Sequence, residues 1–134
     1  MAANRNFDAA AIDAAARHLE TFAAANGDVM LTVLTSGDGY EVASFPAAQP
    51  MTARIAAMSS SLQALSKALA HEAGLQDHRS LIVETKTGTV LVLGLHDTVP
   101  SASLAVVASS KELLGKLLWA TRNLCKTLEA SLRR

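Results

Sequence analysis

The chain has 134 residues, of which 50% are apolar, 18% charged and 4% aromatic, and its 12 basic side chains balance 12 acidic ones. This composition excludes a disordered, highly charged chain, and without net positive charge we expect neither nucleic acid nor an anionic membrane as a partner. The length supports one hydrophobic core, so we expect a single domain over residues 1–134, with an ordered core at about 10–130.

The first half of the chain predicts two helices separated by a pair of strands. Asp8 is a suitable N-cap for an alanine-rich helix that reaches about residue 25. Two apolar strands follow at 29–35 and 40–45, and a second helix is predicted from about 52 to 73, where a glycine stops it.

The second half predicts three strands and a last helix. The strands are apolar runs separated by polar turns, at 80–84, 89–95 and 104–108. Ser109 with Glu112 three residues later fits a capping box at the start of a helix that reaches about Leu132.

The predicted fold class is α/β (α+β), with the order α-β-β-α-β-β-β-α. Short turns join most of the strands, which predicts a central, mainly antiparallel five-stranded sheet. The strands at 29–35 and 89–95 are apolar on both faces, and such strands are covered on both faces. The sheet should therefore lie between helices in a sandwich.

The segment VLTSGDGYEVASF, residues 33–45, raises the question of a phosphate-binding loop. Such a loop needs backbone N–H groups that converge at a helix N-terminus, usually with a lysine nearby. Here no lysine is present, and the residues after Gly39 are strand-like. Gly37, Asp38 and Gly39 readily adopt the left-handed φ values of a tight corner, so the segment predicts a β-hairpin.

The second helix carries two stripes of apolar or small residues. The large-residue stripe is expected to pack on the sheet and consists of Ile55, Met58, Leu62, Leu65 and Leu69. The small-residue stripe, where another helix could approach closely, consists of Ala57, Ser61, Ala64 and Ala68. Three charged residues over 52–73 are few for a helix with a solvent face. This predicts a helix that is buried twice, and thus a homodimer, against the alternative of a helix half-covered by its own domain.

No catalytic, cofactor-binding or metal site is predicted. The four histidines are scattered, without a second ligand at metal-binding spacing. Cys125 lies on the apolar side of the last helix, which is typical of an inert core thiol. The acidic residues are dispersed, and no pair of them is forced together. We therefore expect a protein without enzymatic activity.

The N-terminal residues MAANRNFDAA lack the long apolar segment of a signal peptide. No apolar run approaches the roughly 18 residues of a membrane span, and one cysteine cannot form an internal disulfide. We therefore expect a cytoplasmic protein.

Trp119 departs from the amphipathic pattern of the last helix. It lies on the arc opposite the apolar side, beside Arg122 and Lys126. Two interpretations remain open: the ring lies flat on the aliphatic parts of these side chains, or it contacts a partner.

The order of these segments resembles the Roadblock/LC7 family over about residues 10–130. The similar parts are the hairpin LTSGDGYEVAS, the helix ARIAAMSSSLQALSKAL, the strand pair SLIVETKTGTVLVLGL and the strand-to-helix segment ASLAVVASSKELLGKLLWATRNL. The resemblance implies a roadblock/profilin-like sandwich without enzymatic activity. It also implies homodimers, formed through the second helix and the third strand, that bind Ras-like small GTPases or join larger assemblies such as the dynein motor.

The resemblance also implies which residues make these contacts. The expected dimer interface consists of Ala57, Ser61, Ala64, Ala68, Leu81 and Val83. The residues available to a partner on the outer surface of the paired helices are Ser60, Gln63, Lys67 and His71.

One alternative function remains, a small-ligand sensing module of PAS-like or profilin-like architecture. Such a module needs a cavity lined by converging polar groups, whereas the predicted core consists of Leu, Val and Ala. An adaptor dimer needs no such cavity and no cofactor.

Overall fold

The computed structural model describes residues 7–96, 98, 101–109 and 114–132. Three helices and five strands follow in the predicted order, which confirms the fold class: α1 (Ala9–Ala25), β1 (Val29–Ser36), β2 (Glu41–Phe45), α2 (Thr52–Glu72), β3 (Ser80–Glu84), β4 (Gly88–Gly94), β5 (Ala102–Ser109) and α3 (Leu114–Leu132). The predicted capping box before α3 includes Glu112, which lies outside the described residues.

The five strands form one sheet in the order β2-β1-β5-β4-β3. All four neighbouring pairs are antiparallel, in agreement with the short turns of the sequence. The first and last strands of the chain meet in the centre, and β2 and β3 form the two edges. One side of β3 therefore pairs with β4, while the other side has no strand beside it among the described residues.

The segment between β1 and β2 is the predicted hairpin corner. The Gly39 N–H donates to the Ser36 carbonyl at 3.0 Å, and the Ser36 N–H donates to the Tyr40 carbonyl at 2.8 Å. Gly39 has a φ of 92°, in the left-handed region that favours glycine. The chain after this corner continues as a strand, so the loop lacks the helix N-terminus that a phosphate-binding loop requires.

Two helix ends form as their sequences predict. The Ala11 N–H donates to the Asp8 carboxylate at 2.7 Å, so Asp8 caps α1. At the end of α2, the N–H groups of Gly74 and Leu75 donate to the carbonyls of His71 and Ala70, which is the Schellman arrangement. Gly74 has a φ of 78°, which explains why the helix stops at this residue.

The two faces of the sheet are covered by different helices. α1 and α3 cover one face, over a large core that includes Leu34, Leu91, Leu104 and Leu128. α2 covers the other face, over a smaller core that consists of Leu31, Val33, Ala56, Val92 and Ala105. Because successive strand residues point to opposite faces, strands that are apolar throughout supply both cores.

The expected orientation of α2 is wrong. The side of this helix that is buried on the sheet carries small and polar residues: Thr52, Ala56, Ser59 and Gln63. Of the large-residue stripe, Ile55 alone is partly buried against the sheet, whereas the other four members are exposed. Small side chains allow a helix to lie close to a sheet, and the large side chains then point away from it.

We expect the substitution Leu104→Ala to lower the free energy of unfolding by about 2–5 kcal/mol. Leu104 is fully buried under α1 and α3, so that its truncation leaves a cavity. Urea denaturation at one fixed protein concentration measures the change. The matched control Leu75→Ala, at an exposed position, should stay within about 0.5 kcal/mol of the wild type. Equal losses in both variants would contradict this assignment of the core.

Candidate protein-interaction surface

The side of α2 that points away from the sheet is largely apolar. Met58, Leu62, Leu65 and Leu69 are between 40% and 71% exposed. At about 100° per residue these four side chains fall within an arc of about 60°. They therefore form a continuous stripe along the helix surface and not a set of isolated apolar residues, which would need no explanation.

The small-residue stripe runs beside them and is exposed as well. Its members, Ala57, Ser61, Ala64 and Ala68, lie about 10–70° to one side of the line that points directly away from the sheet, and the large-residue stripe lies on the other side of that line. Arg54 and Glu72 lie on that line, in the first and last turns of the helix. The central turns of this face therefore carry no charge, and we call the two stripes together the α2 outer face.

The large-residue stripe lies on the flank of α2 that is nearer to β3. The hairpin corner packs on the other flank, where the Ser60 hydroxyl donates to the Gly37 carbonyl at 3.1 Å. On the β3 side, Ile55 and Leu81 both pack against the core beneath α2. The exposed stripe therefore continues towards the edge strand of the sheet.

β3 itself extends this surface. Val83 is 38% exposed on an edge strand that is paired along one side, whereas the equally exposed Ile82 points to the opposite face of the sheet. Val83 shares its sheet face with Leu81, which is on the α2 side. An edge strand presents unpaired N–H and C=O groups, which can pair with a strand of another chain.

The residues predicted for the dimer interface all belong to this region. Ala57, Ser61, Ala64 and Ala68 are on the α2 outer face, and Val83 lies on β3. Leu81 is half-buried beneath the helix. The spacing of the exposed large residues of α2 predicts a stripe but not its direction, and the expectation that this stripe faces the sheet is wrong for four of its five members.

Three of the four residues predicted to face a partner lie together. Ser60, Gln63 and Lys67 line a depression of about 200 Å³ between α2 and the ends of β4 and β5, which we call the Gln63 pocket. Gln63 is only 8% exposed, so the expectation that it lies on the outer surface is wrong. It belongs to the buried arc of α2, with its amide at the pocket. His71 is exposed and lies one turn beyond Lys67, beside Leu75.

Ala64 of the small-residue stripe also lines the Gln63 pocket, and the other walls come from residues without a signal in the sequence. They include Gly94 at the end of β4, and Ser101 and Ser103 at the start of β5. Nothing in the local pattern of these residues indicates a site. They converge because β4 and β5 are neighbours in the sheet and α2 crosses their ends.

Two features of the described residues bear on catalysis and membranes. Within the ranges that the structure describes, no group of three or more His, Cys, Asp or Glu residues is placed to hold a metal ion. None of the described helices is long and apolar enough to cross a membrane.

Trp119 lies on the outer side of α3 and is 69% exposed. It borders an open groove between α1 and α3, which is also lined by Phe22 and Leu124. This groove is on the opposite face of the sheet from α2. Both interpretations of Trp119, packing of its ring on the neighbouring Arg122 and Lys126 side chains or contact with a partner, stay predictions.

Cys125 is buried in the core beneath α3, as its position in the helix predicts. Burial, with a smaller contribution from the nearby Glu129 carboxylate, raises the pKa of its thiol to about 12. The thiol therefore stays protonated at neutral pH and lacks the thiolate that a nucleophile or a metal ligand requires.

Comparison with known proteins places this architecture in a recognised group. The sequence matches the family model of the Roadblock/LC7 domain over residues 16–108. No curated protein matches the sequence significantly.

Many solved structures share the fold, and three of them illustrate the similarity. MglB of Myxococcus xanthus has a TM-score of 0.78 and 13% identity, with 89% of this chain and 87% of that one covered. A Roadblock/LC7 domain from Streptomyces avermitilis has a TM-score of 0.77 and 19% identity, with coverage of 87% and 96%. An MglB with a tetrameric arrangement has a TM-score of 0.79 and 19% identity, with coverage of 93% and 92%.

The buried thiol predicts a specific dependence of stability on pH. A thiol pKa that rises from 9.0 to about 12 on folding contributes stability below pH 9, which is lost as the pH rises towards 12. Between pH 8 and 10 this loss is about 1.4 kcal/mol. We expect the difference in the free energy of unfolding between the wild type and Cys125→Ala to shrink by this amount. A difference that is constant between pH 8 and 10 would contradict the burial of the thiol.

Proposed function

Because this chain belongs to the Roadblock/LC7 family, we propose that it is a homodimeric, non-enzymatic regulator of a Ras-like small GTPase. The observation that carries the proposal is the exposed and uncharged α2 outer face, which continues to the edge strand β3. Family membership supports the class of partner, and the tetrameric arrangement of the similar MglB supports self-association as a property of this fold.

A second copy of the chain fits the α2 outer face best. Full burial of a Leu or Met side chain is worth about 1.5–3 kcal/mol, so four exposed side chains of this kind favour association strongly. In a two-fold dimer the same surface occurs on both protomers, and an apolar face without charges in its central turns is complementary to itself. The edge of β3 can then pair with the partner's β3 in antiparallel orientation, which joins two five-stranded sheets.

In this arrangement the large-residue stripe forms the centre of the interface. Met58, Leu62, Leu65 and Leu69 supply the apolar area, with Leu81 and Val83 of β3 beside them. The small-residue stripe of Ala57, Ser61, Ala64 and Ala68 lets the two helices approach closely along the outer line. This assignment keeps all six residues that the sequence predicts for the interface and adds the exposed large residues.

The GTPase is proposed to dock on the flank of the paired helices. Lys67 and His71 are exposed there, and Ser60 is half-buried beside the hairpin corner. Exposed polar and basic residues next to an apolar interface form a suitable rim for a partner of complementary charge.

A second candidate function, small-ligand sensing, is favoured by one specific observation. The Gln63 pocket is lined by several polar side chains, and a sensing module requires a cavity with converging polar groups. An adaptor dimer and a pocket on the flank of α2 can coexist in one protein.

The dimer is tested by Leu65→Glu, which places a charge in the centre of the α2 outer face. Light scattering after size exclusion should give twice the chain mass of 14.0 kDa for the wild type and the single chain mass for the variant. The matched control Ala24→Glu adds the same side chain to an exposed position of α1, on the opposite layer, and should remain dimeric.

The variant Ala64→Arg tests whether the small-residue stripe, in addition to the large-residue stripe, lies in the dimer interface. If the small-residue stripe lies in the interface, the added side chain should weaken the dimer at least about tenfold, by overpacking. A monomeric wild type, or a Leu65→Glu variant that stays dimeric, would contradict the proposed interface.

The GTPase role is tested with purified Ras-like GTPases of the source organism, loaded with GDP or with a non-hydrolysable GTP analogue. We expect biolayer interferometry to show binding of at least one of them that depends on the nucleotide. Lys67→Met or His71→Ala should weaken this binding about tenfold, and Ala24→Glu should leave it unchanged. Absence of binding by all of these GTPases, with a dimer that is intact, would refute this role and leave the dimer standing.

A further inference from the structure

We propose that a cleft beside α3 binds an acidic segment of a partner protein, with Trp119 as an anchor at its rim. The cleft lies between α3, the start of β3 and the end of β4, and we call it the α3 cleft. Its walls include Arg79, Leu93, His96, Arg122, Lys126 and Glu129. The site goes beyond the proposed regulatory role, because it requires neither the GTPase nor the dimer.

Three Arg or Lys side chains meet at the α3 cleft from separate parts of the chain. Arg79 directly precedes β3, whereas Arg122 and Lys126 stand one turn apart on α3. All three side chains are exposed. Because basic and acidic residues balance over the whole chain, three cations around one depression are a local excess of positive charge. Such an excess attracts a segment of opposite charge.

The one carboxylate that lines the cleft among the described residues is held by the backbone. Glu129 is half-buried, and its Oε2 accepts the N–H of His96 at 2.6 Å. This bond fixes the carboxylate beside the chain that leaves β4. The cleft therefore keeps a positive balance, with three Arg or Lys side chains against one acidic group.

The floor of the α3 cleft is buried and carries no charge. Leu93 is buried at the end of β4, and Cys125 is buried on the side of α3 that faces it. The pKa of the Cys125 thiol is raised to about 12, so the sulfur adds no negative charge. Cations over an apolar floor suit an acidic side chain, whose methylene groups can contact the floor while its carboxylate stays with the cations.

Trp119 extends this surface along the outer side of α3. At about 100° per residue, it lies about 20° from Lys126 and about 60° from Arg122 around the helix axis. The side chain is 69% exposed, so most of the indole surface is in water and open to contact. Tryptophan and arginine are the residues that most often dominate the binding energy of protein interfaces. We therefore assign Trp119 to contact with the partner.

The charge and size of the α3 cleft select among anions. Lipid-binding clusters contain about 4–8 Lys or Arg residues, and DNA-binding proteins commonly make about 6–10 phosphate contacts. Three cations are fewer than either needs. The volume of about 150 Å³ corresponds to about five waters, which is room for one acidic side chain. The Glu129 carboxylate in the same wall repels a doubly charged phosphate more than a singly charged carboxylate.

The α3 cleft lies on the face of the sheet opposite α2. Leu93 belongs to the core beneath α1 and α3, whereas α2 covers the other face. A partner in the cleft would therefore leave the α2 outer face open to a second protomer. Arg79 borders the edge strand β3, so the oligomeric state is measured for every variant that tests the cleft.

The proposal is tested by adding blocked peptides to the ¹⁵N-labelled full-length chain and recording its NMR signals. The probe is acetyl-EELEE-amide, in which carboxylates surround one leucine. At about 20 mM salt it should shift the amide signals of Gly94 and His96 and the indole N–H signal of Trp119 saturably, with a Kd of about 1 mM or tighter. The matched peptide acetyl-QQLQQ-amide has the same length without charge and should cause no saturable shift. Salt at about 200 mM should weaken the binding of the acidic peptide at least about threefold.

Variants connect the binding to the cleft. Trp119→Ala should weaken binding of the acidic peptide at least about fivefold, and the double variant Arg122→Ala/Lys126→Ala at least about tenfold. The control Arg17→Ala removes an exposed arginine of α1 and should change the Kd less than about twofold. All four side chains are exposed, so these variants should fold. Light scattering on the same samples separates a loss of peptide binding from a loss of the proposed dimer.

Vesicles of phosphatidylcholine with about 30% phosphatidylserine represent an anionic membrane. The wild type should not float with them at about 150 mM salt. Flotation without saturable peptide shifts would assign the cleft to a membrane and overturn the proposal. Absence of saturable shifts with the acidic peptide, or unchanged binding by the Arg122→Ala/Lys126→Ala variant, would overturn it as well.

Discussion

The second helix contacts the sheet through Thr52, Ala56, Ser59 and Gln63, and this choice of buried side constrains everything else on that face. The core between α2 and the sheet is small, and Ala56 is the buried apolar residue that α2 contributes to it. A helix that packs so closely on a sheet has no room for leucine or methionine side chains between them. The large side chains of α2 must then point outwards, although the helix is part of the folded domain. A second surface is needed to remove them from water, and the edge strand β3 lies on the same flank.

The two faces of the sheet consequently have different roles. α1 and α3 bury a large core of leucines and valines on one face, where most of the stabilising apolar area is concentrated. α2 contributes less to that core and instead presents its outer face and its flank. The proposed association and partner binding therefore use residues of α2 that contribute little to the main core. Trp119 is the one large aromatic residue exposed on the α1 and α3 side within the described residues.

The Gln63 pocket arises from the same geometry. Along α2, the buried arc begins over the apolar centre of the sheet and then crosses the ends of β4 and β5, where polar residues replace apolar ones. Gln63 is the buried residue at that crossing, and Gly94 leaves the space that its amide occupies. The Oε1 of Gln63 is buried and has no hydrogen-bond partner among the described residues, which is rare in folded proteins.

The sequence by itself determined the eight elements and their order, because those depend on local signals: apolar periodicity, the Asp8 cap, the glycine corner between β1 and β2, and the stop at Gly74. It also predicted that α2 carries apolar residues on more than one side, and the resemblance in the order of its segments pointed to the family. The tertiary structure decided which stripe faces the sheet. Helical spacing shows which residues share a side of the helix, but it does not show what that side contacts. The tertiary structure likewise decided the burial of Gln63 and its meeting with Gly94 and Ser103, residues 31 and 40 positions away along the chain. Contacts over such separations depend on strand order and on the crossing of α2, which only the packed sheet establishes.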